Sequence, residues 1–293
     1  MPTLHGDGRG RFKPRHAERA IARIPRQVPI LNPNDEEFTG ELAGDPPVAL
    51  RSALEASRSA WYDAAHNAFD YAGFGGSTEY EALRAAAESL AGFECAALGI
   101  GQRLPFWLNV YNALVLHAVV ARGVGDSVRS VGDFYGGSQY EVGGLEYSLD
   151  DIEHGLLRAN EPPRRGARRP MREDDPRQRV APILFDERVH FAMYSACRSS
   201  PWLETFTEAG LDVQLESATR RYLSAHLRLD ADCKVLRVPK IFDWYEADFG
   251  GAEGVRSFVI ARLERDEDVE AVDRKGGRIA VKYLEYDWAL NSR

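Results

Sequence analysis

Residues 106–117 read Phe-Trp-Leu-Asn-Val-Tyr-Asn-Ala-Leu-Val-Leu-His, an apolar run broken by two amides and an imidazole. The run predicts a helix from Phe106 to Ala121 with Pro105 in its first turn. At about 100° per residue, Asn109 and Asn112 lie about 60° apart, and His117 shares one broad arc with them. Burying an amide without a partner costs roughly a few kcal/mol, so these groups either contact a ligand or bridge to neighbouring main chain.

Helical signals surround this run, and strand signals come later in the chain. A hairpin is predicted at 140–147 around Gly143-Gly144, and Ser148 with Asp151 forms a capping box for a short helix to Arg158. The other predicted helices are 46–67, 78–98 (with Thr78 and Glu81 as a capping box), 213–226 and 254–263, and the other strands are 234–238 and 278–283. Helices before strands indicate an α+β fold, with helices packed on a small, largely antiparallel sheet.

A second apolar run, Val189 to Ala196, predicts a buried strand that carries His190. A buried imidazole needs a hydrogen-bond partner, and Ser195 and Cys197 follow within seven residues. As an enzyme site, His190 is the general base and Cys197 or Ser195 the nucleophile, although side chains alternate along a strand and place His190 and Ser195 on opposite faces. The alternative is a core histidine beside an inert thiol.

Two carboxylates that lie among aromatic residues are candidates to orient His190. Asp243 lies in Ile241-Phe-Asp-Trp-Tyr245, and Asp287 lies in Tyr286-Asp-Trp288. A carboxylate in such surroundings must be paired or accept several hydrogen bonds, so either one is a candidate to orient the imidazole.

The stretch from Ser148 to Arg158 adds Glu153 and His154 as candidate ligand contacts. Three histidines with carboxylates raise the hypothesis of a metal site, but neither a His-x-x-x-His pair nor a paired-cysteine spacing supports it. No glycine-rich phosphate loop or nucleophile-elbow motif is present. The sequence therefore predicts neither a metal nor a cofactor.

Composition narrows the function classes. The chain has 293 residues, 44 % hydrophobic residues and a net charge of −8, which argues against general attraction to nucleic acid or to an anionic membrane. Three cysteines fit a reducing compartment, and the apolar stretch 113–121 is too short to span a bilayer, so a cytoplasmic protein is expected. We predict a basic arm at 1–45, one domain at 46–293, and an exposed Arg- and Pro-rich loop at 161–179.

Several segments together resemble the domain of unknown function 547 family. The matching stretches are 70–73, 104–114, 148–158, 175–177, 188–193, 240–249 and 286–291, which cover the chain from about residue 68 to its end. Family members typically carry two cysteines after the His-Phe-Ala stretch, where this chain has Ser195 and Ser200. The resemblance therefore implies no thiol or disulfide role at these two positions. No activity is settled for the family.

A looser similarity concerns the order of elements. A helix, a histidine-bearing strand and an acidic residue follow one another as in papain-like and transglutaminase-like folds. This chain has Asn109 where those enzymes need a cysteine, which favours binding over cleavage.

Three functions remain open. The first is a binding domain that recognises a small polar ligand or a peptide. Its predicted contacts are Asn109, Tyr111, Asn112, His117, Glu153, His154 and Trp244. The second is a hydrolase or acyl-transfer enzyme built on His190, and the third is a structural module that joins partners through the basic arm. The sequence indicates no oligomeric state.

Overall fold

The structure is a computed structural model, and it describes residues 30–32, 44–163, 166–229, 235–264, 268–270 and 279–293. Helices and short strands coexist in it, so the α+β class is confirmed. Most of the predicted basic arm lies outside the described residues.

The regular elements comprise α-helices, strands, a π-helix and 3-10 helices. The α-helices are α1 (Pro46–Trp61), α2 (Tyr71–Phe74), α3 (Thr78–Ser89), α4 (Ile100–Ala121), α5 (Leu211–His226), α6 (Ile241–Trp244) and α7 (Ala252–Ile260). The strands are β1 (Tyr62–Asp63), β2 (Ala68–Phe69), β3 (Gln139–Val142), β4 (Leu145–Ser148), β5 (Arg228–Leu229), β6 (Val235–Val238) and β7 (Ala280–Tyr283). The π-helix spans Asp151–Leu157, and the 3-10 helices span Cys95–Ala97, Val128–Ser130, Pro176–Val180, Glu187–Phe191 and Glu246–Phe249.

Helix α4 is the centre of the molecule, and every residue from Pro105 to Val119 is buried. It begins at Ile100 rather than at Phe106, so Pro105 lies in the second turn, where it removes one main-chain hydrogen bond. By length and composition α4 could cross a membrane, but 83 % of its apolar window is buried by the rest of the protein. In this fold α4 is a core helix.

The flanking helices are shorter than predicted. Helix α1 stops at Trp61 because the next residues turn back as the β1–β2 pair, with Asn67 at a φ of 50°. Ser77, not Thr78, caps α3, and this helix ends at Ser89. Gly143 and Gly144 form the predicted hairpin turn with φ of 62° and 73°. Their N–H groups bond the carbonyls of Leu90 and Ala91, which stops α3 there.

The strand predicted at 189–196 is wrong. Asp186 caps a 3-10 helix, Glu187–Phe191, and an irregular segment follows. Main-chain groups that a neighbouring strand would pair are bonded by Asn112 instead, which donates to the Ala192 carbonyl and accepts from the Tyr194 N–H. An apolar run of this length shows burial but does not distinguish a strand from other buried backbone.

Two hydrophobic cores meet along this segment. Val189 and Tyr194 belong to the larger core around α4, whereas Phe191 belongs to a smaller core with α5, α6, α7 and the β5–β6–β7 sheet. Within the described residues, three small sheets replace the predicted single one, and β6 pairs antiparallel with β5 but parallel with β7. The papain-like order is not confirmed, because His190 lies in a helix rather than a strand.

The described part of the loop at 161–179 is exposed or half-buried except at Met171. Met171 is 2 % exposed, and its main-chain N–H and carbonyl are both bonded by the side chain of Asn160. The loop is therefore fastened to the π-helix side of the protein at one apolar anchor, while Arg168 and Arg169 stay exposed.

Candidate functional site

A cavity of about 280 Å³ lies where the two cores meet, and we call it the His190 cavity. Its polar lining is Asp150, Glu153, His154, His190 and Ser195. Its aromatic lining is Tyr111, Tyr135, Trp244, Tyr245, Tyr286 and Trp288. Tyr111 comes from α4, Glu153 and His154 from the π-helix, and Trp244 from α6, so the cavity draws on distant parts of the chain.

His190 is held on one side by Asp248. Its Nε2 lies 2.8 Å from Oδ2 of Asp248, and its ring stacks on Tyr245 with a centroid separation of 4.2 Å. Burial would raise the pKa of Asp248, but hydrogen bonds from His190 and Arg158 outweigh it and hold the pKa at about 2. Because this carboxylate is ionised, Nε2 of His190 donates the hydrogen bond. Burial keeps the pKa of His190 below its ordinary value despite Asp248, so the ring is neutral at pH 7.

The other ring nitrogen of His190 has no hydrogen-bond partner among the described residues. Nδ1 is buried, without a hydrogen bond, and the residue is 2 % exposed. A neutral imidazole that donates through Nε2 carries a free electron pair on Nδ1. The site therefore contains one strong acceptor that the protein leaves unsatisfied.

Arg158 holds Asp248 and His154 together. Its guanidinium donates to Asp248 through two nitrogens, at 2.6 and 2.9 Å, and both side chains are 3 % exposed. A third donation reaches Nδ1 of His154 at 2.9 Å. Arginine has no acceptor, so Nδ1 of His154 accepts, and in the neutral ring the proton is on Nε2. Burial lowers the pKa of His154, which agrees with a neutral ring.

Glu153 is the second buried carboxylate. It accepts hydrogen bonds from the hydroxyls of Tyr111, at 3.0 Å, and Tyr245, at 2.5 Å. Burial acts to raise its pKa, but His154, the Tyr245 hydroxyl and Arg158 outweigh burial, so the net pKa is below the usual value. Glu153 is therefore ionised at neutral pH.

Asp150 behaves differently from Glu153. Burial, followed by repulsion from Glu153 and Asp133, raises the pKa of Asp150 to about 7. The cavity thus contains one carboxylate that is charged at neutral pH and one that titrates near it.

The π-helix explains why adjacent residues reach the same cavity. The Arg158 N–H donates to the carbonyl of Glu153, five residues back. The predicted capping box is present, since Ser148 and Asp151 bond each other's main-chain N–H. Single π-turns are frequent at functional sites because they redirect side chains, and here both Glu153 and His154 line the cavity.

An aromatic wall, which we define as Trp244, Tyr286 and Trp288, forms the opposite side. The ring centroids are 4.9 Å apart for Trp244 and Tyr286, 4.6 Å for Tyr286 and Trp288, and 5.3 Å for Trp244 and Trp288. The hydroxyl of Tyr286 lies 2.7 Å from Oγ of Ser195, so this serine is engaged with the wall.

Of the predicted catalytic residues, Ser195 lines the cavity with His190, whereas Cys197, Asp243 and Asp287 do not. Sγ of Cys197 donates to the carbonyl of Ser195 at 3.2 Å, and burial raises the pKa of this thiol to about 12, the opposite of an activated nucleophile. Asp243 pairs with Lys240, and Asp287 is an exposed residue that accepts from the Ala289 N–H. The orienting carboxylate is Asp248 instead, because α6 and the 3-10 helix after it place that residue, not Asp243, beside His190.

The predicted ligand contacts divide into two groups. Tyr111, Glu153, His154 and Trp244 line the His190 cavity. Asn109 exchanges two hydrogen bonds with the main chain of Phe206, both at 2.8 Å, and the amide of Asn112 bonds main chain at Ala192, Tyr194 and Glu204. His117 bonds the Tyr140 hydroxyl at 2.9 Å. These last three residues bridge elements of the scaffold.

Sequence reasoning missed Asp248, Arg158, Tyr245 and Tyr286. One signal was available for Arg158, which follows Leu156 and Leu157 at the end of a buried helical segment and therefore needs a carboxylate partner. No local signal selects Asp248 from the other acidic residues of that region. Across the described ranges, no group of three or more acidic, histidine or cysteine side chains has the geometry to hold a metal ion.

Comparison with known proteins gives one result. The model of a family described as "Protein of unknown function, DUF547" matches residues 96–223. No curated protein and no solved structure matches the chain. The matched residues include α4, the π-helix and His190, but they end before Trp244 and Asp248.

Proposed function

We propose, for a chain whose residues 96–223 belong to the DUF547 family, that the His190 cavity binds a small polar ligand. The observation that carries the proposal is the unsatisfied Nδ1 of His190. A buried acceptor without a partner costs about 1–3 kcal/mol. Nδ1 presents less than 1 Å² of accessible surface, so a ligand recovers part of this cost when the side chains around the ring shift to admit its donor.

The volume of the cavity limits the ligand. Pockets for drug-sized molecules range from about 300 to 1,000 Å³, so about 280 Å³ is at the small end. This size favours a small molecule over a stretch of peptide. Aromatic surface beside a few polar groups is the usual composition of such pockets.

Histidine-detected NMR tests the proposal. Spectra of the ¹⁵N-histidine-labelled protein are recorded during titration with fragments of up to about twelve heavy atoms, sampled among amines, alcohols, amides and acids. We expect at least one fragment to shift Nδ1 of His190. His117 serves as the internal control, because its Nδ1 is already bonded to Tyr140 and should not move.

A His190→Phe variant should lose affinity for that fragment, measured by calorimetry. The proposal fails if no fragment at millimolar concentration perturbs His190, or if His117 and His190 respond equally.

A hydrolase remains the second candidate because Ser195 and His190 line the same cavity. A fluorophosphonate probe distinguishes the two functions. Binding alone predicts no labelling of Ser195, whereas labelling that disappears in both Ser195→Ala and His190→Phe would establish the enzyme.

A further inference from the structure

Three tyrosine hydroxyls of the His190 cavity already donate hydrogen bonds within the protein. The hydroxyls of Tyr111 and Tyr245 already donate to Glu153, and that of Tyr135 donates to the Ser195 carbonyl. The acceptors that remain are Nδ1 of His190, the free electron pairs of Glu153 and the carboxyl of Asp150. A complementary ligand therefore needs donors for these acceptors, while the Nε2–H of His154 remains available as a donor to it.

The charges of the buried groups are unequal. Arg158 and Asp248 form a close two-nitrogen pair and offset each other. Both histidines are neutral at pH 7, since burial lowers the pKa of each. Glu153 therefore retains a negative charge, and Arg158, the arginine that helps to lower its pKa, is shared with Asp248. A buried charge of this kind is best satisfied by a cation.

The aromatic residues around the cavity already attract cations of the protein. The guanidinium of Arg129 stacks on the ring of Trp288 at 3.9 Å, and that of Arg158 stacks on Tyr245 at 4.4 Å. An aromatic wall beside a carboxylate is the arrangement that recognises organic ammonium groups in proteins. The remaining wall residues, Trp244 and Tyr286, also line the cavity.

From these three observations, and resting on the proposed binding function, we infer that the ligand is a small organic cation. Its ammonium group lies near Glu153 and Nδ1 of His190, and its apolar part packs on the wall of Trp244, Tyr286 and Trp288. Primary or secondary alkyl amines that carry one aromatic ring fit about 280 Å³.

Three probes with one carbon skeleton test the inference on the full chain. Benzylamine, benzyl alcohol and benzoate are titrated at pH 7.5 by calorimetry and by histidine NMR. We expect benzylamine to bind at least tenfold more tightly than the other two and to shift His190. If benzyl alcohol or benzoate binds as well as benzylamine and shifts His190, the cavity is a ligand site but the inference is overturned. If none of the three probes and no fragment reaches His190, the proposed function itself fails.

Glu153→Gln locates the charge effect. This variant keeps the shape of the side chain and should weaken benzylamine at least tenfold while leaving benzyl alcohol unchanged. Asp243→Asn is the matched control, because Asp243 is paired with Lys240 outside the cavity, and it should leave benzylamine affinity unchanged. Equal losses in the two variants would contradict a role for Glu153. Should Glu153→Gln not fold by circular dichroism, Trp244→Leu replaces it and should weaken benzylamine more than fivefold.

Discussion

The hydrogen bond of 2.8 Å between Nε2 of His190 and Oδ2 of Asp248 determines which imidazole nitrogen is free. Asp248 also accepts a hydrogen bond from Arg158. This one carboxylate therefore fixes the tautomer of His190 and offsets the charge of the buried Arg158 guanidinium. The three side chains form a unit in which the loss of the carboxylate affects both partners.

Asp248→Asn should lower the free energy of unfolding by about 3–5 kcal/mol, because it leaves the guanidinium of Arg158 buried without a counter-charge. Urea denaturation measures the change. Asp243→Asn removes a partly exposed carboxylate and should cost less than about 1 kcal/mol. If the two variants lose equal stability, the Asp248–Arg158 pair is not buried as described.

Cys197 should react slowly with iodoacetamide in the native protein. Burial raises the pKa of Cys197 to about 12 and that of Cys95 to about 11, so little thiolate is present at pH 8. In a Cys233→Ser background, mass spectrometry should show labelling at least about 100-fold slower than in urea. Rapid native labelling of Cys197 would restore it as a candidate nucleophile.

Asn109→Ala should destabilise the fold by about 2–4 kcal/mol, since the N–H and carbonyl of Phe206 both lose their partner. Thermal unfolding measures the loss. Gln102→Ala, on the same helix, removes one exposed cap bond to Gly99 and should cost about 1 kcal/mol. We expect the folded fraction of Asn109→Ala to keep its affinity for whichever fragment shifts His190, and a selective loss of affinity would instead make Asn109 a ligand contact.

Asp150 should make stability pH-dependent. Its folded pKa of about 7 lies above the unfolded value, so its contribution is fully present below about pH 4 and is lost as the pH rises toward and through 7. Asn does not ionise, so Asp150→Asn removes this loss. The free energy of unfolding of the variant relative to wild type should therefore rise by about 1–3 kcal/mol from pH 5 to pH 8. Urea titrations at both pH values measure it, with Asp126→Asn as an exposed control. A pH-independent difference would show that Asp150 is not buried in the folded state.

The buried histidines should make the protein less stable as the pH falls, which is opposite to the effect of Asp150. Burial lowers the pKa of His117 and His226 to about 4. The unfolded chain then binds more protons between about pH 4 and 6.5, and stability falls as the pH decreases through that window. A His117→Phe variant should show a shallower loss between pH 6.5 and 4.5, measured by urea unfolding. An unchanged slope would mean that His117 titrates alike in both states.

The sequence was informative where the signal is local. The hairpin turn at Gly143-Gly144, the capping box of Ser148 and Asp151, and the burial of Asn109 and Asn112 all depend on neighbours along the chain. The family resemblance is confirmed over 96–223.

The predictions that were wrong concern features that depend on tertiary pairing. Period and composition do not reveal that Asn112 takes the place of a strand partner, nor which of Asp243, Asp248 and Asp287 meets His190. The π-turn had no sequence signature either, although it is what brings Glu153 and His154 to one cavity.

Tyr286 and Trp288 complete the aromatic wall. The segment that carries them is held by contacts of Asn291 with residues far away in the sequence. Asn291 bonds Asn67 across 224 positions and Tyr71 across 220. Contacts of such separation form slowly, because a long loop must close before they contribute any stability. We therefore expect the cavity to form late in folding, so that refolding restores helical circular dichroism before the near-ultraviolet signal of Trp244 and Trp288.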